Sequence, residues 1–366
     1  MKRIILGIIA FLILIICTSC SKETSYFYRY EYNGYLDTIG YIIVEYSSND
    51  YPQEDVFHIL NEVKTILLNI EKEFSVSKTP YMEEENIEKS TVMLINERSG
   101  ENIDTLVSDE FLDLLDLSIL ISGMTNGLFD VSIGSLTKLW NISSRAEYCA
   151  DDSEFLEYLC SIPDTIEINK TLELVDYKNI NIDYENKTVS LPKKGMALDF
   201  GAIAKGYAVE KIAEYLQKFN FSYVIINMGG NVKVVGEAKQ NIEPLKIQVK
   251  APFKDGNIGY YYPKDSTGGV TSGIYERYIN YKGVKYHHIL NPKTGYPSDE
   301  DIVSVTIVGT DSSVSDALST SVFMLGVERG LKLINSLEDY EAIIITKDEK
   351  IYISNNLEFI QINNKI

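Results

Sequence analysis

The sequence predicts an α+β fold in which antiparallel-rich sheets are flanked by helices. Strand-like segments rich in Tyr, Ile and Val alternate with segments whose apolar residues recur at helical spacing. The turns between neighbouring strand segments are short, as at Gly229-Gly230, and short turns favour antiparallel hairpins. A chain of 366 residues with 45% hydrophobic residues can bury the core of one large unit made of two closely packed lobes.

The first half of the chain predicts one hairpin, two long helices and a mixed segment. Residues 26–46 are typical of strand–turn–strand. Residues 56–74 and 108–125 carry apolar residues at helical spacing, and Asp109 and Glu110 suit the first turn of the second helix. Residues 147–194 predict a helix followed by a small hairpin.

The second half predicts a β-rich arrangement around two helices. Residues 196–200 favour a short strand that Gly201 ends before a helix at 203–219. The further strands are expected at 222–228, 231–235, 246–249, 269–271, 278–281 and 302–308, and a helical region at 315–325 and 328–336 precedes a hairpin over 342–353.

The N-terminal segment predicts export. Lys2 and Arg3 precede an apolar run over residues 4–16, and small residues lead to Cys20, a pattern typical of a bacterial lipoprotein signal. We expect residues 1–19 to be a signal peptide, 20–26 a lipidated tether and 27–366 the folded domain. The protein would then be extracytoplasmic and anchored to the membrane through Cys20. An uncleaved membrane anchor is the alternative.

Composition excludes some classes of function. The formal net charge is −19 and no long Lys/Arg block exists, which argues against nucleic acid as a partner. An anionic substrate would therefore need a local positive charge. Cys149 and Cys160 could pair, although two cysteines make no disulfide scaffold. No Cys/His cluster has zinc spacing, so a bound metal should be a hard cation held by oxygen.

A strand–glycine–helix segment over residues 198–207 is the first candidate site. Unpaired N–H groups at the start of a helix favour anions, and Lys205 would add a positive charge. Asp199, Ala202 and Lys205 are spaced by three and can fall on one side of the turn. A plain helix start with a surface lysine is the alternative.

Two further motifs have structural alternatives of similar weight. The Gly229-Gly230 pair lets a ligand or another backbone approach closely, or simply forms a tight hairpin. Asp316 and Thr320 lie at i and i+4 on one helix face, where a carboxylate and a hydroxyl make half of an oxygen site for Mg²⁺. Asp316 as a helix cap is the alternative that its position alone favours.

Two of the three histidines, His287 and His288, precede a stiff proline–glycine turn over residues 291–297. An imidazole changes charge near neutral pH, so this stretch is a candidate catalytic segment, with a surface turn as the alternative. Residues 127–130 and the single tryptophan, Trp140, could line a pocket for a ring but are more typical of core.

Together the motifs resemble the FAD:protein FMN transferases, the ApbE-type flavin transferase family, in its lipoprotein form. The resemblance spans essentially all of residues 27–366. It rests on Leu36-Asp37-Thr38, Asn96, Phe129-Asp130 with Trp140, LDFGAIAKGYAVE at 198–210, NMGGN at 227–231, TSGIYER at 271–277, YHHILNPKTGYP at 286–297 and VSDALSTSVFMLG at 314–326.

The resemblance implies an ApbE/T-fold-like architecture and a Mg²⁺-dependent reaction. FMN would pass from FAD to a threonine hydroxyl of a partner flavoprotein, with release of AMP. The family expectation for that partner is a respiratory electron-transfer subunit. An FAD pyrophosphatase giving FMN and AMP, or a lipoprotein that only binds flavin, remain as alternatives.

The resemblance also implies residue roles. The expected Mg²⁺ ligands are the Ala202 carbonyl, Asp316 and Thr320, and His288 is the expected base, with His287 as a bystander. The expected FAD contacts are Leu36, Asn96, Lys138, Leu139, Asp199, Lys205 and the Ile289 backbone.

The sequence departs from the family pattern at four positions. Asn291 and Ile274 stand where Asp is usual, and Leu36 and Asp37 stand where Met and Gly are usual. None of these changes removes an expected Mg²⁺ ligand. The Asn291 substitution removes a carboxylate that would orient His288 or the turn. The four departures put the reaction rate and the partner preference in question more than the reaction itself.

Overall fold

The computed structural model describes residues 24–150, 159–237 and 245–362. The expected signal peptide and Cys20 lie outside the described residues. Within the described part of the chain, no helix is both long and apolar enough to cross a membrane. The α-helices are α1 Gln53–Asn61, α2 Val63–Phe74, α3 Pro80–Glu84, α4 Thr91–Glu97, α5 Asp109–Met124, α6 Gly134–Trp140, α7 Ile142–Cys149, α8 Thr165–Leu172, α9 Ala204–Leu216 and α10 Ser312–Ile334.

The strands form one large sheet and several small ones. They are β1 Ser25–Asn33, β2 Ile39–Ser47, β3 Thr105–Leu106, β4 Asn181–Asp183, β5 Thr188–Ser190, β6 Tyr223–Met228, β7 Asn231–Gly236, β8 Ile247–Lys250, β9 Asn257–Tyr261, β10 Gly268–Gly273, β11 Tyr278–Tyr281, β12 Val284–His287, β13 Ile302–Gly309, β14 Tyr340–Thr346, β15 Ile351–Ile353 and β16 Phe359–Gln361. The large sheet has the order β1-β2-β6-β7-β10-β13-β14-β15, and each neighbouring pair is antiparallel.

Helices cover the large sheet and supply the core. Helices α2, α5 and α9 contribute Leu67, Phe111 and Ile212 to one buried cluster with strand residues such as Ile42. Helix α10 packs Phe323 and its neighbours into a second cluster with β13 and β14. The predicted α+β class with antiparallel-rich sheets and flanking helices is therefore confirmed.

The predicted strand at residues 196–200 is wrong. Its backbone finds partners outside any strand: the Leu198 N–H donates to Asn96 Oδ1 at 2.7 Å, and Asn96 Nδ2 donates to the Leu198 carbonyl at 2.9 Å. The Asp199 N–H donates to the Val131 carbonyl at 2.9 Å. A side-chain amide can satisfy a backbone N–H and C=O just as a strand does, so an apolar pattern alone misses this arrangement.

Two helix predictions change in detail. The helix expected over residues 56–74 is divided at Glu62 into α1 and α2. Helix α10 begins earlier than expected, at Ser312, and its cap is Asp311, whose Oδ1 accepts from the Val314 N–H at 3.0 Å. The alternative that Asp316 caps this helix is therefore wrong. The expected interruption after residue 325 occurs at Gly326, where φ is 78°.

Other local predictions are confirmed. The helix expected over residues 108–125 is α5, with Asp109 and Glu110 in its first turn, and Ser108 caps it by accepting from the Phe111 N–H at 3.0 Å. Gly229 and Gly230 form the tight turn of the β6–β7 hairpin with φ values of 57° and 89°. Cys149 and Cys160, whose pairing the sequence left open, form a disulfide with an S–S distance of 2.01 Å.

Candidate functional site

Helices α9 and α10 are in close contact at Gly206. A Cβ atom on Gly206 would lie 2.0 Å from the Ser312 carbonyl oxygen and 2.8 Å from the Asp316 Cβ, so only glycine fits between the helices. This contact lets the Gly206 N–H donate to Asp316 Oδ2 at 2.9 Å. Asp316 is 4% exposed, and this bond fixes the orientation of a buried carboxylate.

Oxygen atoms are available around Gly206. Helix α9 begins at Ala204, so the Gly206 N–H is one of the donors at the helix start that have no acceptor within the helix. It donates to Asp316, and the Ala202 carbonyl, which precedes the helix, receives no backbone hydrogen bond from the described residues. Asp316 Oδ1 and the half-buried Thr320 hydroxyl, one turn further along α10, likewise have no hydrogen-bond partner among the residues that the structure describes.

These three groups suit a hard cation. A carboxylate, a hydroxyl and a backbone carbonyl are oxygen donors of the type that Mg²⁺ prefers, and Mg²⁺ commonly keeps several waters beside few protein ligands. No group of three or more His, Cys, Asp or Glu side chains with metal-binding geometry occurs in the described ranges. Ala202, Asp316 and Thr320 therefore fit Mg²⁺ with open positions for substrate oxygens and fit a closed structural metal site poorly.

The expected row of unpaired N–H groups at the start of α9 is wrong in part. The Gly201 N–H donates to Asp199 Oδ1 at 2.8 Å. The Ile203 and Ala204 N–H groups donate to the Phe200 carbonyl at 2.9 and 2.8 Å. With the Gly206 N–H used by Asp316, the helix start presents few free donors to an anion. Positive charge for an anionic ligand must come mainly from side chains or a cation.

Asp199 links the start of α9 to α6. Its Oδ2 accepts from Thr137 Oγ1 at 2.7 Å, so the half-buried carboxylate is held from both sides. Thr137 immediately precedes Lys138, which is exposed, and Leu139, which is half-buried. The structure therefore places Asp199 against α6, the helix that carries two further expected FAD contacts, Lys138 and Leu139.

Asn96 reaches the same segment from α4. Both ends of its amide are engaged by the Leu198 backbone, and one Nδ2 hydrogen remains for another partner. Asn96 therefore positions the residue next to Asp199. Any contact that it makes with a ligand would come in addition to this role.

The β1–β2 turn carries Leu36 in an unusual backbone conformation. Leu36 and Asp37 have φ values of 50° and 53°, a left-handed region that favours glycine. The buried Glu71 holds the turn, since its Oε1 accepts from the Leu36 N–H at 3.0 Å and its Oε2 accepts from Thr79 Oγ1 at 2.7 Å. Burial raises the pKa of Glu71, and these two hydrogen bonds act against that rise.

Arg277 joins this turn to His288. Its Nη2 donates to the Asp37 carbonyl at 3.3 Å, while its own carbonyl lies 3.0 Å from His288 Nδ1. A carbonyl oxygen can only accept, so Nδ1 carries the proton and the neutral ring keeps its lone pair on Nε2. Burial lowers the pKa of His288 to about 4, and the charges of Arg277 and Lys205 contribute to that lowering. Lys205 therefore acts on the ring of the expected base.

His287 has a structural role. Its Nδ1 accepts from the Ile289 N–H at 3.3 Å, which requires Nε2 to carry the proton that it donates to the Ser298 carbonyl at 3.0 Å. The ring is 8% exposed and packs edge-on against Phe323. Burial lowers the pKa of His287 to about 4. Both ring nitrogens are used, which agrees with its expected place outside the chemistry.

The turn after the histidines is stabilised by its own contacts. Asn291 Oδ1 accepts from the Lys293 N–H at 2.8 Å, and the Asn291 N–H donates to the Tyr296 carbonyl at 2.8 Å. Trp140 is fully buried and donates from Nε1 to the Gly295 carbonyl at 2.7 Å. Asn291 therefore orders the turn and His288 is oriented by Arg277, so the missing carboxylate is not needed to hold the ring. Trp140 is core, as its local sequence favours.

Three residues that shape the site had no role predicted from the sequence: Gly206, Arg277 and Glu71. Gly206 and Arg277 lie inside motifs that carry the family resemblance. However, Gly206 bonds to a residue 110 positions away in the chain, and Arg277 joins two separate turns. Glu71 had a detectable signal. It lies four residues after Leu67 on the apolar face of α2, where a carboxylate must find partners.

A separate cavity of about 370 Å³ lies beside the β1–β2 turn and contains none of the expected site residues. It is lined by Glu31, Tyr32, Asn33, Tyr35, Lys64, Leu68, Tyr81, Glu84 and Glu85. The stacked rings of Tyr35 and Tyr81 form one wall.

Comparisons with known proteins agree on one family. A profile described as the ApbE family matches residues 42–344. The chain is 36% identical over 271 residues to the FAD:protein FMN transferase of Klebsiella pneumoniae (strain 342), covering 74% of this chain and 79% of that protein. It is 28% identical over 315 residues to the FAD:protein FMN transferase of Treponema pallidum (strain Nichols), covering 82% and 80%.

Solved structures show the same fold. The ApbE protein of Thermotoga maritima superimposes with a TM-score of 0.74 at 29% identity, covering 90% of this chain and 97% of that one. The flavin transferase ApbE of Vibrio cholerae gives a TM-score of 0.74 at 22% identity over 91% and 98%. With its motifs, its fold and a family profile that spans most of its length, this chain belongs to the ApbE family.

Proposed function

We propose that this protein transfers FMN from FAD to a threonine hydroxyl of a partner flavoprotein, in a Mg²⁺-dependent reaction that releases AMP. The observation that carries the proposal is the Gly206 N–H bond that orients Asp316, together with an Ala202 carbonyl that has no backbone donor among the described residues. Its close relatives named FAD:protein FMN transferase support the same reaction.

Ala202, Asp316 and Thr320 would hold the cation. When bound, Mg²⁺ would neutralise charge on the pyrophosphate oxygens of FAD. The protein supplies the fixed geometry of its oxygen donors, so little reorganisation is needed as charge develops. Lys205, whose charge acts on the ring of His288, adds a second positive group on the side of the base.

His288 would take the proton from the incoming threonine. Its Nε2 carries the lone pair, because Nδ1–H donates to the Arg277 carbonyl. The threonine oxygen then bonds to the phosphorus of the FMN half, the bond from that phosphorus to the AMP oxygen breaks, and AMP leaves. A bound pyrophosphate brings negative charge near the ring, which raises the pKa of His288 from the value of about 4 in the free protein.

The remaining residues would position FAD. Asp199 is fixed by Thr137 and Gly201, and the Leu36 turn is fixed by Glu71. Further contacts come from Lys138, Leu139, Asn96 and the Ile289 backbone. Such pre-formed contacts lower the entropic cost of aligning the FMN phosphorus with the acceptor oxygen.

Chromatographic measurement of FMN, AMP and protein-bound flavin tests this proposal. Purified protein is incubated with FAD and Mg²⁺, with and without an acceptor flavoprotein. We expect AMP to appear in step with protein-bound flavin and to fall to background in EDTA. AMP released with free FMN at the same rate without acceptor would identify a pyrophosphatase, and no AMP in either case would identify a flavin-binding protein.

We further propose that the protein is a lipoprotein anchored through Cys20 and acts outside the cytoplasm on an acceptor such as a respiratory electron-transfer subunit. The disulfide between Cys149 and Cys160 supports an oxidising compartment. Labelling with a fatty-acid analogue in cells tests the anchor. We expect incorporation into the wild-type protein and none into Cys20→Ala, and equal labelling of both would contradict it.

A further inference from the structure

Helices α9 and α10 are joined by a second hydrogen bond, one helical turn away from the bond between Gly206 and Asp316. Gly206 and Glu210 are four residues apart on α9, and Asp316 and Ser312 are four residues apart on α10. The Gly206 N–H donates to Asp316 Oδ2 at 2.9 Å, and the Ser312 N–H donates to Glu210 Oε1 at 2.5 Å. Two hydrogen bonds with the same spacing fix the register of the two helices.

Glu210 is itself held by a buried lysine. Lys233 Nζ lies 2.7 and 2.9 Å from the two carboxylate oxygens of Glu210 and donates to the Thr310 carbonyl at 2.7 Å. The side chains of Lys233 and Glu210 are only 4% and 16% exposed. The cluster therefore joins strand β7, helix α9 and the segment that leads into α10.

A buried ion pair of this kind is weak evidence of a contribution to stability. The cost of removing both charges from water offsets much of their attraction, and apolar residues of similar size often replace such pairs without loss of stability. The geometry offers another reason for the presence of the Lys233–Glu210 pair. The carboxylate is the only contact in the cluster that reaches the first backbone N–H of α10, the helix that carries Asp316 and Thr320.

We infer that Glu210 is a positioning residue for the metal half-site. Through Ser312 it sets where α10 lies along α9, and thereby the distance from Asp316 and Thr320 to the Ala202 carbonyl. This inference rests on the proposed Mg²⁺-dependent function. Loss of contacts that orient metal ligands typically lowers metal affinity by about 10- to 100-fold.

A measurement of metal binding distinguishes a positioning role of Glu210 from a contribution to stability. The probe is Mn²⁺, followed by electron paramagnetic resonance in the presence of FAD, and each variant is also thermally unfolded. In Glu210→Met/Lys233→Met the charges are removed together and no buried charge is left unpaired. We expect a melting temperature close to that of the wild type and Mn²⁺ affinity reduced by about tenfold.

The Ser312→Pro variant tests the hydrogen bond between Ser312 and Glu210 by a different route. Ser312 is the first residue of α10, a position where proline is well tolerated, and Asp311 before it is already extended. Proline deletes the N–H that reaches Glu210, and its Cδ takes the space of that N–H, so the Glu210 carboxylate must turn away from α10 while Lys233 keeps its bond to the Thr310 carbonyl. We expect the same loss of Mn²⁺ affinity. If the Glu210→Met/Lys233→Met variant does not fold, Ser312→Pro alone decides whether Glu210 positions the metal half-site.

Helix α9 offers a matched control. Lys211 and Glu214 form an exposed ion pair at 3.0 Å on the same helix. The double variant Lys211→Met/Glu214→Met should bind Mn²⁺ with wild-type affinity. Wild-type affinity in the folded Glu210→Met/Lys233→Met and Ser312→Pro variants would overturn the positioning role alone. Absence of Mn²⁺ binding in the wild type would overturn the metal assignment, and this inference with it.

Discussion

Asp316 Oδ2 accepts a hydrogen bond from the backbone N–H of Gly206 at 2.9 Å, across an interface where no other residue type fits. One bond thus joins two motifs that lie 110 residues apart in the chain. It orients the carboxylate, and the Ala202 carbonyl just before α9 has no backbone donor among the described residues. The chemistry proposed for this protein depends on that geometry more than on any charge cluster.

Gly206→Ala should disrupt the site and the fold together. The new Cβ would lie 2.0 Å from the Ser312 carbonyl oxygen, so the helices must separate, at a cost of about 1–3 kcal/mol. Urea unfolding measures this cost. Gly123→Ala is the matched control. A Cβ on that helical glycine would meet one atom of the described residues within 4 Å outside its own helix, the Tyr177 hydroxyl oxygen at 3.9 Å, and alanine there should stabilise the protein by about 0.5–1 kcal/mol. Equal effects of the two substitutions would contradict the close packing at Gly206.

His288→Gln should lower the rate of FMN transfer by about 10²- to 10⁴-fold, because it removes the proton acceptor Nε2. The affinity for FAD should change little, and fluorescence titration checks this. His287→Gln should instead act mainly on stability, since it breaks two buried hydrogen bonds, at a cost of about 1–3 kcal/mol. A folded His288→Gln variant with an undiminished transfer rate would exclude the ring as the base.

Stability should fall as the pH drops from about 6.5 to about 4. Burial lowers the pKa of His287 and of His288 to about 4, whereas both rings have ordinary values in the unfolded chain. The unfolded state therefore binds protons first, and each neutral ring contributes on the order of 1–3 kcal/mol that is present above pH 6.5 and lost towards pH 4.

Unfolding of the wild type and the glutamine variants at pH 7 and pH 4.5 checks this dependence. Burial raises the pKa of Glu71 and of Asp130, and these carboxyls act in the opposite direction. The comparison between variants isolates the histidines. The difference in unfolding free energy between the two pH values should be smaller in each variant than in the wild type, and an identical difference would count against buried neutral rings.

Asp37→Gly should stabilise the protein. Asp37 has a φ of 53°, which glycine adopts without steric cost. The contact with Arg277 uses the Asp37 carbonyl, so it survives the substitution. We expect a gain of about 0.5–1 kcal/mol in the unfolding free energy. Lower stability would mean that the Asp37 side chain contributes more than its backbone strain costs.

Much of the fold could be predicted from the sequence, because hydrophobic periodicity and turn residues report local structure. The β1–β2 hairpin, the first turn of α5 and the Gly229-Gly230 turn are local features of this kind. The error at residues 196–200 has a long-range cause. The Asn96 amide supplies the backbone partners there, and no local pattern reveals a contact between residues 102 positions apart.

The site, like the fold, has parts that follow from local sequence and parts that depend on long-range contacts. Asp316 and Thr320 share a helix face, so their proximity follows from spacing alone. The orientation of His288 does not, because its partner is a backbone carbonyl of Arg277, on a different strand end. Glu71 and Glu210 support the site through contacts made only in the folded chain, and residue type alone identifies neither partner.

The most direct test is mass spectrometry of an acceptor flavoprotein after incubation with this protein, FAD and Mg²⁺, followed by mapping of the modified peptide. The account predicts one FMN attached to a threonine as a phosphoester with the wild-type protein, and none with a folded Asp316→Ala variant. An acceptor that remains unmodified by the wild type, or is modified equally well by Asp316→Ala, would contradict it.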